Sequence, residues 1–76
     1  MGKSVDGAET KTKLSIVAPC YNEAEGLKEF CRRARAAAQA VAGQSFEIIL
    51  VDDGSSDDTW GVISQLAAGI PQVLGV

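Results

Sequence analysis

The segment EIILVDDGSSDDT, residues 47–59, decides the fold because an apolar run passes directly into acidic and small polar residues. Ile48 to Val51 are four consecutive apolar residues, which is typical of a parallel-sheet strand covered on both faces. Asp52 and Asp53 follow at once, and carboxylates at the edge of a core add nothing to its stability. The segment therefore predicts a buried strand that carries two aspartates to a ligand.

The flanking sequence predicts two further strands and two helices. Residues 14–18 form a short β-branched run that Pro19 closes, as expected for a first strand. Apolar residues at helical spacing follow, with Asn22 as the expected side-chain cap and Gly43 as the expected end. After a second helix, residues 73–76 resemble a third strand. This order predicts a parallel α/β sheet with a β-α-β-α-β sequence of elements.

The handedness of such connections predicts how the sheet is covered. Right-handed crossovers between strands laid down in chain order place both helices on one face and leave the other face bare. Because the run from Ile48 to Val51 has apolar side chains for both faces, we expect residues 14–76 to be the incomplete opening portion of a larger α/β domain. A self-contained miniature fold is the alternative. The polar residues 1–13 are expected to form a disordered leader.

Composition limits the class of protein. The 76 residues, 46% of them hydrophobic and 22% charged, suit one small globular domain with a single core. The net charge of −3 argues against nucleic acid as a partner. No apolar run reaches the roughly 20 residues of a membrane span. Cys20 and Cys31 are too few for a disulfide framework, and we expect reduced thiols in a cytoplasmic setting.

The ends of the first two strands are the candidate ligand site, because open parallel sheets bind ligands at their carboxyl ends. Asp52 and Asp53 can only accept hydrogen bonds when ionised, so base N–H groups, sugar hydroxyls or a metal ion would suit them. Tyr21 offers a flat face on which a base could stack. A nucleoside satisfies both features. The alternatives are that Tyr21 covers the helix and that one aspartate braces the turn at Gly54.

Other known motifs do not fit the sequence. The first turn lacks the glycine pattern of dinucleotide sites and the second lacks calcium-loop spacing. Without histidine, the two cysteines form neither a zinc site nor a catalytic pair. Residues 55–58 are expected to start the second helix, with Ser55 or Asp57 as its cap.

Two motifs together resemble a known family. LSIVAPCYNEAEGL, residues 14–27, precedes EIILVDDGSSDDTW, residues 47–60. The pair resembles the start of the family 2 glycosyltransferases with the Rossmann-like GT-A fold, in which P-x-Y-N-E follows the first strand and V-D-D-G-S-x-D the second. The resemblance covers residues 14–76, and it is greatest to the polyprenyl- or dolichyl-phosphate sugar transferases.

The resemblance implies an enzyme that moves a sugar from a UDP-, GDP- or dTDP-sugar to an acceptor, either a lipid phosphate such as polyprenyl phosphate or a glycan. Such a transferase would serve cell-wall or glycolipid biosynthesis at the cytoplasmic face of a membrane, through segments outside this chain. The resemblance also implies that Pro19, Tyr21 and Glu23 line the nucleotide pocket. Asp52 and Asp53 would contact base and ribose, with Asp52 expected on the base and Asp53 turned toward the ribose or the turn.

The sequence departs from the family pattern in one respect. The resemblance implies a later D-x-D that holds Mg²⁺ or Mn²⁺ on the donor diphosphate, and no D-x-D occurs here. We therefore expect the metal site and the catalytic residues to lie in the remainder of the domain, so that this chain alone binds nucleotide without transferring sugar.

Two alternatives from other classes remain at this stage. A receiver-like phospho-acceptor signalling domain also ends a strand in paired acids, but its acids should close the first strand. A complete strand and helix precede Asp52 here. The second alternative is a non-catalytic α/β interaction module.

Overall fold

The structure, a computed structural model, describes residues 12–76 and confirms the predicted order of elements. Three strands alternate with two helices. They are β1 (Leu14–Cys20), α1 (Leu27–Ala42), β2 (Phe46–Asp52), α2 (Thr59–Gly69) and β3 (Val73–Gly75).

The three described strands form one parallel sheet in the order β1-β2-β3. Leu14 pairs with Phe46 at one end of the first ladder and Cys20 pairs with Asp52 at the other. Ile48 pairs with Val73 in the second ladder. The carboxyl ends of β1 and β2 therefore lie side by side, as the site prediction requires.

The core lies between the sheet and both helices. Ile48 and Leu50 point from β2 toward the helices and are fully buried. They belong to one cluster with Cys31 of α1 and Ile63 of α2. Because the buried residues of both helices meet the same row of β2 side chains, both helices lie on one face of the sheet, as predicted.

The opposite face of the sheet is bare within the described part of the chain. Val17, Ile49 and Leu74 form a row across the three strands. Val17 is 61% exposed and Leu74 48% exposed, whereas Ile49 is half-buried between them. The continuous apolar run of β2 thus supplies a core on one side and an uncovered apolar surface on the other.

The start of α1 differs from the prediction. Gly26 is the N-cap residue, and no side chain caps the helix. The expectation that Asn22 caps it was wrong, because the Asn22 side chain bonds to a loop distant in sequence, as described below. Gly43, at φ 59°, ends the helix as predicted. Val41, one of the apolar residues at helical spacing, is 77% exposed and so lies outside the buried face of α1.

The remaining sequence predictions have separate outcomes. Most of the predicted leader, residues 1–11, lies outside the described residues, and Lys13 at its end donates its N–H to the Ser45 carbonyl at 2.8 Å. Cys20 and Cys31 are free and buried, which confirms the expectation of unpaired thiols. Among residues 12–76, neither helix has the length and apolar character needed to cross a membrane.

Candidate nucleotide-binding site

Two loops meet at the carboxyl end of the sheet. The first loop, residues 21–26, follows β1, and the second loop, residues 53–58, follows β2. The backbone N–H of Asp53 donates to the Cys20 carbonyl at 2.9 Å, one residue before Tyr21. This bond extends the sheet by one step and places the beginnings of the two loops next to each other.

Asn22 joins the first loop to the second. Its side-chain Oδ1 accepts hydrogen bonds from the Ser56 N–H at 2.9 Å, the Ser56 hydroxyl at 3.3 Å and the Asp57 N–H at 3.4 Å. Asn22 has φ 52°, a left-handed conformation that asparagine tolerates better than most residues. The Asn22 side-chain oxygen therefore accepts from two consecutive backbone N–H groups of the second loop.

Backbone donors of the first loop also bind acceptors of the second. Side-chain oxygens at and just before the start of α2 accept from three consecutive backbone N–H groups of the first loop. The bonds run from Asn22 N to Ser55 Oγ at 2.9 Å, from Glu23 N to Thr59 Oγ1 at 2.9 Å and from Ala24 N to Asp57 Oδ2 at 3.3 Å. The loops thus exchange hydrogen bonds in both directions and form one unit.

Thr59 is the buried centre of this unit, and the sequence analysis did not identify it. The residue is fully buried, accepts from Glu23 and donates its hydroxyl proton to the Asp57 carboxylate. The hydroxyl of Thr59 is the main cause that lowers the pKa of Asp57. Its signal in the sequence is only its position at the start of a helix.

The expected capping of α2 is partly confirmed. Asp57 accepts from the N–H of Thr59, the first residue of α2, at 3.0 Å. Asp58 occupies the N-cap position, without a capping bond from its side chain. Ser55 faces Asn22 instead. The acid at position 57 therefore serves both the helix start and the junction between the loops.

The two aspartates at the end of β2 have different environments. Asp52 follows the inward-facing row of Ile48 and Leu50, and its Oδ1 accepts from the Ser55 N–H at 3.0 Å. Asp53 is exposed. The structure thus uses Asp52 to brace the turn, whereas the sequence favoured Asp52 for the base and placed Asp53 toward the ribose or the turn.

Negative charge concentrates around the buried Cys20 thiol. Burial raises the pKa of Cys20, and the carboxylates of Glu23 and Asp52 raise it further. The first and second loops contain no lysine or arginine. The rim therefore presents hydrogen-bond acceptors, which suits a ligand with N–H and hydroxyl donors.

The predicted ligand residues lie at one edge of the sheet. Pro19, Tyr21, Glu23 and Asp53 are exposed, and Asp52 is half-buried. At 58% exposure, Tyr21 contributes little to the core, although aromatic rings usually bury well. Their convergence on one ligand and their contact with a nucleotide stay predictions.

Comparison with known proteins assigns the chain to a family. The model of glycosyl transferase family 2 matches residues 15–75, which include both motifs and all three strands except Leu14, the first residue of the first motif and of β1. The chain belongs to glycosyl transferase family 2. This membership and the parallel sheet confirm the expected fold, the incomplete opening portion of a Rossmann-like GT-A domain, and set aside the receiver-like alternative.

The chain is similar to named bacterial transferases. It is 49% identical over 55 residues to the undecaprenyl-phosphate 4-deoxy-4-formamido-L-arabinose transferase of Enterobacter sp. (strain 638), a match that covers 72% of this chain and 16% of the relative. The transferase of the same name from Sodalis glossinidius is 51% identical over 55 residues, covering 72% of this chain and 17% of the relative. The chain therefore corresponds to about a sixth of these relatives.

The described part of this family 2 chain does not fit a metal site. Residues 12–76 contain no group of three or more histidine, cysteine, aspartate or glutamate side chains that could hold an ion. Asp52 is committed to the turn and Asp57 to Thr59. Asp52 and Asp57 are therefore not a metal site within residues 12–76.

Proposed function

We propose that this chain is the nucleoside-binding part of a glycosyltransferase that transfers a sugar from a nucleotide-sugar to a polyprenyl phosphate. The supporting observation is that Tyr21 and Asp53, both exposed, directly follow the paired ends of β1 and β2, where the Asp53 N–H donates to the Cys20 carbonyl. Family membership and the names of the relatives support the transferase activity and the lipid-phosphate acceptor.

The roles proposed for the site residues follow from their environments. Asp53, whose carboxylate is exposed, accepts an N–H of the base or a ribose hydroxyl, and the Tyr21 ring stacks on the base. Asp52 holds the loop through Ser55 and contributes its charge to the pocket. Pro19 and Glu23 line the same pocket. Asp53 is therefore proposed as the base contact, whereas the sequence favoured Asp52 for that role.

The rest of the reaction belongs to residues outside this chain. We propose that a further part of the domain supplies the acids that bind Mg²⁺ or Mn²⁺ on the donor diphosphate, together with the acceptor site and the association with a membrane. The bare sheet face supports this division, because Val17 and Leu74 present apolar surface that a further part of the domain would bury. The present chain binds the nucleoside end of the donor.

Titration with nucleotides tests the proposal. UDP, GDP and dTDP are added separately to the ¹⁵N-labelled chain at millimolar concentration, and amide shifts are followed. We expect shifts around Tyr21 and Asp53 with at least one of the three. Tyr21→Ala should weaken that binding about tenfold, since stacking on an aromatic ring contributes about 1 to 3 kcal/mol. Asp53→Asn should weaken it by a similar factor.

A control variant separates the pocket from general effects. Ser64→Ala changes an exposed residue of α2 and should bind like the unaltered chain. If none of the three nucleotides shifts the amides near Tyr21 and Asp53 in a chain whose spectrum is that of a folded protein, the proposed function is wrong.

A further inference from the structure

Asn22 occupies a junction on which both candidate contacts depend. It directly follows Tyr21 in the first loop, and its Oδ1 accepts from Ser56 and Asp57 in the second loop. Its own N–H donates to the Ser55 hydroxyl at 2.9 Å. One residue therefore bonds to three consecutive residues of the opposite loop.

The junction continues to the aspartates. Ser55 accepts from Asn22 through its hydroxyl and donates its N–H to Asp52 Oδ1 at 3.0 Å. Asp53 lies between these fixed points, followed by Gly54 at φ 76°, a conformation that glycine adopts readily. Without the bonds to the Asn22 side-chain oxygen, the segment from Asp53 to Ser56 would still be held by three bonds, from Asp53 N to the Cys20 carbonyl, from Asn22 N to Ser55 Oγ and from Ser55 N to Asp52 Oδ1, but Ser56 would lose its bonds to the first loop.

From this geometry we propose that Asn22 is a positioning residue for nucleotide binding, whose side-chain oxygen fixes the second loop so that Tyr21 and Asp53 face the same ligand. The inference rests on the proposed function, because it concerns the same pocket. Asn22 acts through Tyr21 and Asp53 and does not itself contact the nucleotide.

The expected effect falls on binding more than on folding. Ser56 and Asp57 are exposed, so water can replace Asn22 as the acceptor for their N–H groups. The core, centred on Ile48 and Leu50, does not include Asn22, Ser56 or Asp57. Loss of the acceptor should therefore let the loop sample other positions while the sheet remains folded.

Two substitutions separate the side-chain role from the backbone role. Asn22→Gly permits the left-handed φ of 52° but removes the acceptor. Asn22→Asp keeps a carboxylate acceptor, and aspartate also tolerates this conformation. A purely conformational role would leave Asn22→Gly unaffected, whereas the proposed role would leave Asn22→Asp closer to the unaltered chain.

The experiment measures two quantities in each variant. The first is the dissociation constant for whichever of UDP, GDP and dTDP binds the unaltered chain. The second is the hydrogen exchange of the Ser56 and Asp57 amides without nucleotide. Asn22→Gly should weaken binding about five- to tenfold and speed exchange at both amides, as expected when an ordering bond is lost. Asn22→Asp should stay within about threefold at roughly 0.15 M salt, where added charge is partly screened.

Ser55→Ala provides a second, milder variant. It removes the acceptor for the Asn22 N–H and retains the Ser55 N–H that binds Asp52. Binding should weaken about two- to fivefold, the size of one exposed hydrogen bond. Ser64→Ala on α2 is the matched serine control and should change neither quantity.

The outcomes distinguish the two proposals. If the unaltered chain binds none of the nucleotides, the proposed function and this inference both fail. If it binds while Asn22→Gly and Ser55→Ala bind equally well, only the positioning role is wrong. Equal losses in Asn22→Gly and Asn22→Asp with an intact sheet would also overturn it, because the retained acceptor would then have no effect.

Discussion

The backbone N–H of Asp53 lies 2.9 Å from the carbonyl oxygen of Cys20, one step beyond the last paired residues of β1 and β2. This bond brings the residue after β2 next to the residue before Tyr21. Together with the Asn22 bonds, it makes two loops that are more than 30 residues apart in sequence into a single rim.

The two faces of β2 should differ in their contribution to stability. Ile48 is fully buried under the helices, whereas its neighbour Ile49 is half-buried on the bare face. Ile48→Ala should lower the free energy of unfolding by about 2 to 5 kcal/mol, and Ile49→Ala by less than about half of that. Urea unfolding of this matched pair measures both. Equal losses would show that the second face is covered in the isolated chain.

Gly75 should not tolerate a side chain. A Cβ at this position would lie 2.6 Å from Ile63 Cγ2, and Ile63 is fully buried. Gly75→Ala should therefore cost about 1 to 3 kcal/mol of unfolding free energy through overpacking. Gly69→Ala is the control, because nothing lies within 4 Å of a Cβ there. A Gly75→Ala variant as stable as the control would contradict the packing of β3 on α2.

The junction between the loops should weaken in acid. The Thr59 hydroxyl, followed by backbone donors, lowers the pKa of Asp57 below its usual value, so the ionised form is favoured in the folded chain. The ionised Asp57 carboxylate stabilises the folded chain fully above the usual carboxyl pKa. This stabilisation is lost as the pH falls through the lowered pKa of Asp57. Amide shifts of Ala24 and Thr59, which donate to Asp57, should follow this titration as the pH falls below the usual carboxyl range.

Substitutions at Thr59 check the cause of that shift. Thr59→Ser keeps the hydroxyl and should keep the low midpoint, whereas Thr59→Val removes it and should move the midpoint upward. Asp57→Asn should abolish the transition at Ala24. A midpoint that is identical in the serine and valine variants would exclude the hydroxyl as the cause.

Both thiols should react slowly in the folded chain. Cys20 and Cys31 are 2% and 1% exposed, and burial raises the pKa of each, so little thiolate is available near neutral pH. Labelling with a thiol reagent should be slow without denaturant and fast in urea. Rapid labelling of Cys31 under folding conditions would place α1 away from the sheet.

The sequence predicts the sheet well because its signals are local. The continuous apolar run at Ile48 to Val51 and the helical spacing after residue 26 each depend on neighbours in the chain. Strand order and the bare face then follow from the handedness of parallel connections. These features confirm that periodicity and chirality suffice for the layout of this sheet.

The rim could not be predicted to the same depth, because its contacts are distant in sequence. Asn22 looks like a helix cap locally, yet its partner Ser56 is 34 residues away. Thr59 looks like an ordinary helix start, although it accepts from Glu23 across the loops. Which of Asp52 and Asp53 braces the turn likewise depends on which carboxylate accepts the Ser55 N–H. Local propensity has no information on such partners.

The central claim is that a nucleoside base stacks on Tyr21 beside Asp53. Intermolecular nuclear Overhauser effects in the chain saturated with UDP, GDP or dTDP test this contact most directly. The account predicts cross-peaks between the Tyr21 ring protons and protons of the base, which disappear in Tyr21→Ala. Cross-peaks from the base to the methyl groups of Val17 or Leu74 on the bare face, with none to Tyr21, would contradict it.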